Sequence, residues 1–286
     1  MLGKLMKYDL RAYFRRFGAL WIALLALSLI NGFSLHGLFE QAASRGGFAR
    51  LFFSVLPPMA LFGVYVATAV LMLVFVCERF YKGLLGDEGY LAFTLPAPVS
   101  AHIASKTLSA LIVWVLSFLV ACVSGFMILV LARPDGFSEA LRQMLQILRQ
   151  VGNERIPAAV PWLVLEGIVL SLIGVAAEIL KIYTAIALGH LAKKHRVLWA
   201  ILSYIGINLV QSFLLGISVD NGLVAALFRG IADTDWGVMY SADGWVVQGA
   251  GIAAGVMGGA ILFELLLCAL YFFVTRLILT KKLNLE

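Results

Sequence analysis

Charged residues are scarce in this chain, since only 13% of its 286 residues are Asp, Glu, Lys or Arg. An ordinary soluble domain has about a quarter. At the same time, 62% of the residues are hydrophobic. A soluble fold of this length has too little interior to hide that much apolar surface, so lipid must solvate part of it. The composition therefore excludes a soluble domain and predicts an integral membrane protein.

Cysteine is also rare, and Cys77, Cys122 and Cys268 all lie inside apolar runs. An odd number of dispersed thiols forms neither a disulfide framework nor a recognisable metal-binding spacing. The four histidines are equally scattered, and there is no HExxH pair of the kind that an intramembrane zinc protease needs. The sequence predicts no metal site.

Motifs for catalysis are missing as well. A nucleotide-binding P-loop needs G-x-x-x-x-G-K-[ST], but the nearest match, which ends at Lys106-Thr107, has Ser100 and Ser105 in place of both glycines. No aspartate lies in a predicted span, which excludes an aspartyl dyad, and no G-x-S-x-G elbow occurs. These absences predict that the chain is not an enzyme and that it holds no cofactor of its own.

The sequence contains many long apolar runs. Six of them are long enough to cross a hydrocarbon core of about 30 Å, which takes about 20 helical residues. They lie at about 18–38, 51–77, 107–132, 161–189, 197–219 and 247–275. The sequence therefore predicts an all-α integral membrane fold with six transmembrane helices, in a single transmembrane domain over residues 1–286.

The basic residues predict the orientation of these spans. An even number of spans puts both termini on one side, and fourteen of the 22 Lys and Arg residues fall there, against seven on the opposite side. By the positive-inside rule, the N- and C-termini are cytoplasmic. The net charge of +6 is therefore mostly a consequence of topology, and the sequence predicts no nucleic-acid partner.

The pattern of residues 1–17 predicts an amphipathic interfacial helix. At about 100° per residue, one narrow face carries basic side chains and the opposite face carries apolar ones. The basic face is Lys4, Lys7, Arg11 and Arg15, and the apolar face is Leu2, Met6, Leu10, Tyr13 and Phe17. Such a helix lies in the headgroup layer and binds anionic lipid. A plain basic tail before the first span fits the same pattern.

Polar side chains inside the predicted spans form the candidate site. They are Glu178 and Lys181 in the fourth span, Tyr204, Asn208 and Gln211 in the fifth, and Glu264 in the sixth. Such residues are costly in a membrane and usually face protein or a water-filled cavity. Two interpretations stay open, namely a substrate pathway and an interhelical polar layer that holds the helices together.

The sixth span also carries a face of small residues. It consists of Gly251, Gly255, Gly258 and Gly259. Glycines at this spacing permit the close approach of another helix. We therefore expect helix packing on this face.

The longest predicted cytoplasmic loop, residues 78–106, is too short for a folded domain but is rich in apolar and aromatic residues. They are Tyr81, Leu84, Leu85, Tyr90, Leu91, Phe93 and Leu95. Apolar side chains in a water-facing loop need something to cover them. Either the loop returns to the membrane surface or it docks into another protein.

One run of residues in this loop resembles a known signature. It reads Asp87-Glu88-Gly89-Tyr90-Leu91-Ala92-Phe93-Thr94-Leu95-Pro96, followed by Val99-Ser100 and Ser105-Lys106. With the basic amphipathic start of the chain and the six-span layout, it resembles the bacterial ABC-2 type transporter permeases. One departure is Pro96-Ala97-Pro98, where that family has a single proline directly before Val-Ser.

The resemblance implies the transmembrane subunit of an ATP-binding cassette exporter in the bacterial cell membrane. In that family, the loop between spans two and three couples the permease to a separate ATP-binding subunit, which carries ATP and Mg. The implied coupling residues are Asp87, Glu88, Gly89, Tyr90, Leu91, Phe93, Thr94, Leu95 and Pro96. A second permease copy, identical or paralogous, is also implied, so that two chains form the pathway.

Two other classes of function stay open on the residues alone. A stand-alone secondary transporter or channel often has broken helices and internal repeats. No convincing repeat relates residues 1–132 to 161–286. A membrane scaffold or sensor subunit without transport needs no further motif, so the residues do not exclude it.

Overall fold

The computed structural model describes residues 2–40, 48–86, 98–132, 159–192, 194–220, 238–241, 244–247 and 250–281, together with Ser138, Arg142, Leu145 and Gln146. Six long helices make up most of these residues. They are α1 (Leu2–Glu40), α2 (Phe48–Phe80), α3 (Val99–Ala132), α4 (Ala159–His190), α5 (Arg196–Asp220) and α6 (Ala250–Lys281). A π-helix, Tyr81–Leu85, continues α2.

Each of the six helices, with α2 taken together with the π-helix that continues it, contains a segment that is long and apolar enough to cross a membrane. The segments are Gly3–Leu35, Val55–Leu85, Val99–Ala132, Pro161–His190, Arg196–Leu214 and Ala254–Thr280. The predicted number of helices that are long and apolar enough to cross a membrane is therefore confirmed for the described residues. Which side of the membrane holds the termini stays a prediction.

A short hairpin departs from the predicted all-α fold. Strand β1 (Val238–Ser241) pairs antiparallel with β2 (Gly244–Val247), so that Tyr240 lies opposite Trp245. Valine and aromatic side chains favour strands, which explains why this segment is extended. Because Val247 ends β2, the sixth helix begins at Ala250 and not at residue 247 as predicted.

The helices that flank the predicted cytoplasmic loop are longer than the sequence suggested. Helix α2 passes residue 77 and runs into the π-helix, while α3 begins at Val99, eight residues before the predicted start of the third span. Pro98 precedes α3, and its carbonyl accepts a hydrogen bond from the Ala101 N–H at 2.8 Å. A proline at this point suits a helix start, because its missing N–H would have no helical partner. The segment between the π-helix and α3 therefore comprises residues 86–98.

The chain divides into two compact units. The first consists of Met1–Val76 and Leu108–Arg149, and the second of Cys77–Thr107 and Gln150–Glu286. In the first unit, α1 is continuous from the predicted interfacial segment into the first span. Tyr13 and Phe17 of its apolar face are each 1% exposed and lie on Phe75 of α2, with ring centroids 4.6 Å and 6.0 Å away. These two side chains therefore contact protein, whereas the prediction placed them against lipid.

The basic face of the same helix is exposed. It comprises Lys4, Lys7, Arg11 and Arg15. The amphipathic character of residues 1–17 as a whole stays a prediction. Whether this end of the helix lies in the headgroup layer stays a prediction.

Buried polar contacts join the helices of the first unit. The Asn31 side chain, which is 1% exposed, donates from Nδ2 to the Pro57 carbonyl at 2.9 Å and thus ties α1 to α2. The Tyr65 hydroxyl donates to Ser124 Oγ at 2.8 Å and ties α2 to α3. Polar contacts of this kind are a common source of helix association in membranes, where lipid is as apolar as the helix surface.

In the second unit, α4 packs against both α5 and α6. Thr184 on α4 donates to the Tyr271 carbonyl at 3.2 Å and lies 3.0 Å from the Thr275 hydroxyl, both on α6. Between α4 and α5 the backbones come into close contact at Gly189. A Cβ at this position would lie only 2.5 Å from the Ala200 backbone nitrogen.

We expect Gly189→Ala to lower the free energy of unfolding by about 1 to 2 kcal/mol, because the added methyl meets rigid backbone. Gly174→Ala, in the same helix, is the matched control, since a Cβ there would meet nothing within 4 Å. In an open helical position, alanine is the better helix former by about 0.5–1 kcal/mol. The free energy of unfolding of both variants is measured in mixed micelles of mild detergent and SDS. Equal effects of the two changes would contradict the close approach.

Candidate functional site

A buried lysine lies at the centre of the candidate site. Lys181 on α4 is only 2% exposed. Its Nζ donates hydrogen bonds to Glu178 Oε1 at 2.5 Å, Asn208 Oδ1 at 3.1 Å and Gln211 Oε1 at 3.1 Å. An ammonium has three N–H donors, so these three acceptors use all of them. The charge is thereby held in place although water is excluded from it.

The spacing along α4 and α5 explains why these groups meet. Glu178 precedes Lys181 by three residues and so lies on the same face of α4. On α5, Asn208 donates from Nδ2 to the Tyr204 carbonyl at 2.8 Å, which turns the amide oxygen toward the lysine. The Tyr204 hydroxyl donates to Glu178 Oε2 at 3.4 Å. The predicted polar residues of these two helices therefore form one hydrogen-bonded cluster.

Helix α6 contributes a residue that the sequence analysis missed. The Tyr271 hydroxyl donates to Gln211 Oε1 at 3.4 Å, and Tyr271 itself is 5% exposed. The predicted residue on this helix, Glu264, lies within electrostatic range of Glu178 and Lys181. Tyr271 follows Glu264 by two helical turns, so the spacing could have indicated it. We refer to Glu178, Lys181, Tyr204, Asn208, Gln211, Glu264 and Tyr271 as the polar layer.

Exposure differs sharply within the polar layer. The side chain of Lys181 is 3% exposed, whereas that of its ion-pair partner Glu178 is 52% exposed. A carboxylate at membrane depth is stable only where it faces water or further protein. Glu178 is therefore the group that could meet a substrate or a second subunit. Lys181 is buried, and its ammonium neutralises and orients the Glu178 carboxylate.

The small-residue face of α6 is open in the described part of the chain. A Cβ at Gly255, Gly258 or Gly259 would meet no described atom within 4 Å. Gly251 also lies on α6, but its surroundings fall outside the described residues. Helix packing on this face stays a prediction.

The predicted coupling residues, Asp87–Pro96, lie outside the described residues, but the segments on both sides of them are described. We call these flanking segments, residues 80–86 and 98–106, the loop base. Leu84 is fully buried and Leu85 is 6% exposed, so the chain itself covers two side chains that were expected to need lipid or a partner. Tyr81, by contrast, is 40% exposed.

The loop base is attached to α4 by aromatic contacts. Phe80 and Tyr183, both fully buried, stack with ring centroids 4.1 Å apart and planes 10° from parallel. Tyr81 meets His190 edge to face at 6.1 Å. Tyr183 lies only two residues beyond Lys181, so one helix contacts the loop base and also carries the centre of the polar layer.

No protein-family model, curated protein or solved structure matches this chain. Among the residues that the structure describes, no group of three or more His, Cys, Asp or Glu is placed to hold a metal ion. The functional interpretation therefore depends on the residues themselves, on the signature in the loop and on the contacts around it.

Proposed function

We propose that this chain is the transmembrane permease subunit of an ATP-binding cassette exporter in the bacterial cell membrane. The observation that carries the proposal is the loop signature Asp87–Pro96, together with the hydrogen bond from Lys106 to the Arg79 carbonyl that joins the segments on its two sides. The six apolar helices supply the membrane part. A separate subunit binds ATP and Mg and hydrolyses the nucleotide.

Docking in this proposal uses the apolar and acidic residues of the signature. Phe93 and Leu95 act as apolar anchors in a groove of the ATP-binding subunit, since buried aromatic and aliphatic anchors dominate the energy of most interfaces. Asp87 and Glu88 face basic groups on that subunit, which sets orientation and association rate. The loop thus receives the motion that ATP hydrolysis produces.

The route from loop to pathway runs through α4. Phe80 at the loop base stacks on Tyr183, and Lys181 lies two residues before Tyr183 on the same helix. Energetic coupling between distant sites passes through packed side chains and rigid secondary elements of this kind. Movement of the loop would therefore displace the polar layer. In the proposed dimer of permease chains, the half-exposed Glu178 lines the substrate pathway between the copies.

The docking proposal predicts that Tyr90→Ala and Phe93→Ala reduce the ATPase that co-purifies with the tagged chain from native membranes. We expect at least about a tenfold reduction, because a buried aromatic anchor contributes about 2 kcal/mol or more. Tyr8→Ala is the control, since Tyr8 is an aromatic residue that is 69% exposed on α1 and is not part of the signature. Co-purification and ATP-dependent transport in vesicles are measured together.

Two results would contradict the proposal in different ways. If the loop variants retain the ATPase as the wild type does, the signature is not the docking site. If the wild-type chain brings no ATPase at all, a stand-alone transporter or a scaffold subunit is favoured instead.

A further inference from the structure

The two ends of the signature loop are joined by one buried lysine. Lys106, eight residues into α3, is 8% exposed, and its Nζ donates to the Arg79 carbonyl at the end of α2 at 3.1 Å. Twenty-seven residues separate donor and acceptor in sequence, and the whole signature lies between them. A hydrogen bond from a charged donor is about twice as strong as a neutral one. The contact therefore fixes the distance between the two stems of the loop.

A glycine makes this contact sterically feasible. A Cβ on Gly83, in the π-helix, would lie 2.5 Å from Lys106 Nζ and 3.2 Å from its Cε. Real Cβ atoms do not approach so closely, so any other residue at 83 would displace the ammonium. π-Helices occur as short segments, frequently at functional sites, and this one turns Gly83 toward the lysine.

The joined stems are also attached to the transmembrane bundle of the second unit. Phe80, at the junction of α2 and the π-helix, stacks on Tyr183 of α4. Leu84 of the π-helix and Ile103 of α3 are both fully buried. The loop base is therefore packed against the chain, and the lysine joins its two segments.

We infer that Lys106, seated over Gly83 on the Arg79 carbonyl, is the positioning residue that makes the two stems of the signature loop move as one body. In the proposed complex, Lys106 and Gly83 do not contact the ATP-binding subunit. They therefore affect how the motion of the loop is transmitted to the permease, and they do not affect docking. The transmission role rests on the proposed function, whereas the joining of the stems is a property of the chain alone.

Hydrogen–deuterium exchange on the purified chain tests the joining of the stems. Lys106→Ala and Gly83→Ala are each expected to raise amide exchange in residues 81–86 and 99–103 by about tenfold, the factor for one lost charge-assisted hydrogen bond. The methyl that Gly83→Ala adds collides with the Lys106 ammonium. In a chain that already has Lys106→Ala, this methyl meets no side chain that it could displace. The double variant should therefore exchange no faster than either single variant. Exchange in α5 should stay unchanged, which shows that the fold is retained.

One matched control lies in the loop base and the other lies in α2. Lys82→Ala removes a neighbouring lysine whose side chain is 63% exposed and pairs with Glu78. Gly63→Ala adds a methyl to α2 where nothing lies within 4 Å. Neither should change exchange in the loop base. Unchanged exchange in the Lys106 variant, or effects of the two single variants that multiply in the double variant, would overturn the inference.

The wild-type and variant complexes with the ATPase, in vesicles of bacterial polar lipid, test the transmission role. ATP hydrolysis is expected to fall by about fivefold, within the range for residues that couple distant sites. The amount of ATPase bound to the variant chain should equal that bound to the wild type. A variant that had lost a docking contact would instead bind less ATPase. Full hydrolysis by the Lys106 variant would overturn the transmission role. If no ATPase accompanies even the wild type, the proposed function fails, and exchange on the chain alone still decides whether the stems are joined.

Discussion

Replacing Lys181 with methionine is expected to lower the free energy of unfolding by about 2–3 kcal/mol, and it should be among the most damaging single changes in the second unit. A single interhelical hydrogen bond in a membrane protein contributes about 0.6 kcal/mol, whereas breaking a fully buried ion pair costs about 3–5 kcal/mol. Lys181 makes three hydrogen bonds, and its loss leaves Asn208 Oδ1 without its donor and Gln211 Oε1 with only the long bond from Tyr271. Because Glu178 is half-exposed, water can partly solvate its charge, and the expected value falls between these limits.

Unfolding in mixed micelles of mild detergent and SDS measures this effect. Lys194→Met is the matched control, because Lys194 lies in the α4–α5 turn and is exposed. The double variant Lys181→Met/Glu178→Gln should be less unstable than the sum of the single variants, since the second change removes the charge that the first leaves unpaired. An effect of Lys181→Met equal to that of Lys194→Met would mean that the lysine does not hold the polar layer together.

The parts of the structure that the sequence could predict follow from local periodicity and composition. The six membrane-crossing segments were predicted because apolar run length depends only on neighbouring residues. The spacing of Tyr204, Asn208 and Gln211 on α5, and of Glu178 and Lys181 on α4, can be read from the sequence and places each set on one face of its helix. These residues indeed meet in one cluster.

The parts that the sequence missed depend on how separate helices are aligned along one another. Asn31 reaches the Pro57 carbonyl only because of the relative position of α1 and α2. Likewise, the Phe80–Tyr183 stack needs the end of α2 to meet α4, and Gly83 matters only because Lys106 arrives there from another helix. Periodicity within one helix carries no information about such alignment. The loop base was accordingly interpreted as an exposed segment that needed an external cover.

Helix α4 connects these observations. Its Tyr183 contacts the loop base, its Lys181 and Glu178 form the centre of the polar layer, and its Thr184 binds α6. Changes at Tyr183 and Lys181 therefore test different functions of one rigid element. A change at the loop base should alter transmission without breaking the hydrogen bonds of the polar layer.

Phe80→Ala tests the contact by which the loop base is attached to α4. Phe80 is fully buried, and its removal leaves a cavity against Tyr183 that the surrounding helices can only partly fill. Phenylalanine-to-alanine changes in soluble cores cost about 3–5 kcal/mol. In a membrane bundle, lipid solvates the side chain in the unfolded state, so less free energy is lost from the transfer of apolar surface. The cost of the lost packing contacts remains. We therefore expect a loss of about 2–3 kcal/mol in mixed-micelle unfolding, at the upper end if Tyr183 cannot move toward the cavity.

Phe62→Ala is the matched control for this change, because Phe62 lies on the same helix and is 70% exposed. A surface substitution of this kind should stay within about 0.5 kcal/mol of the wild type. Phe80→Leu should restore part of the loss, since leucine fills part of the space, and the combination Phe80→Ala/Tyr183→Ala should cost less than the sum of its parts, since the two rings contact each other. If Phe80→Ala behaves like Phe62→Ala, the stack does not attach the loop base to α4. The route from the signature loop to the polar layer would then have to pass through another helix.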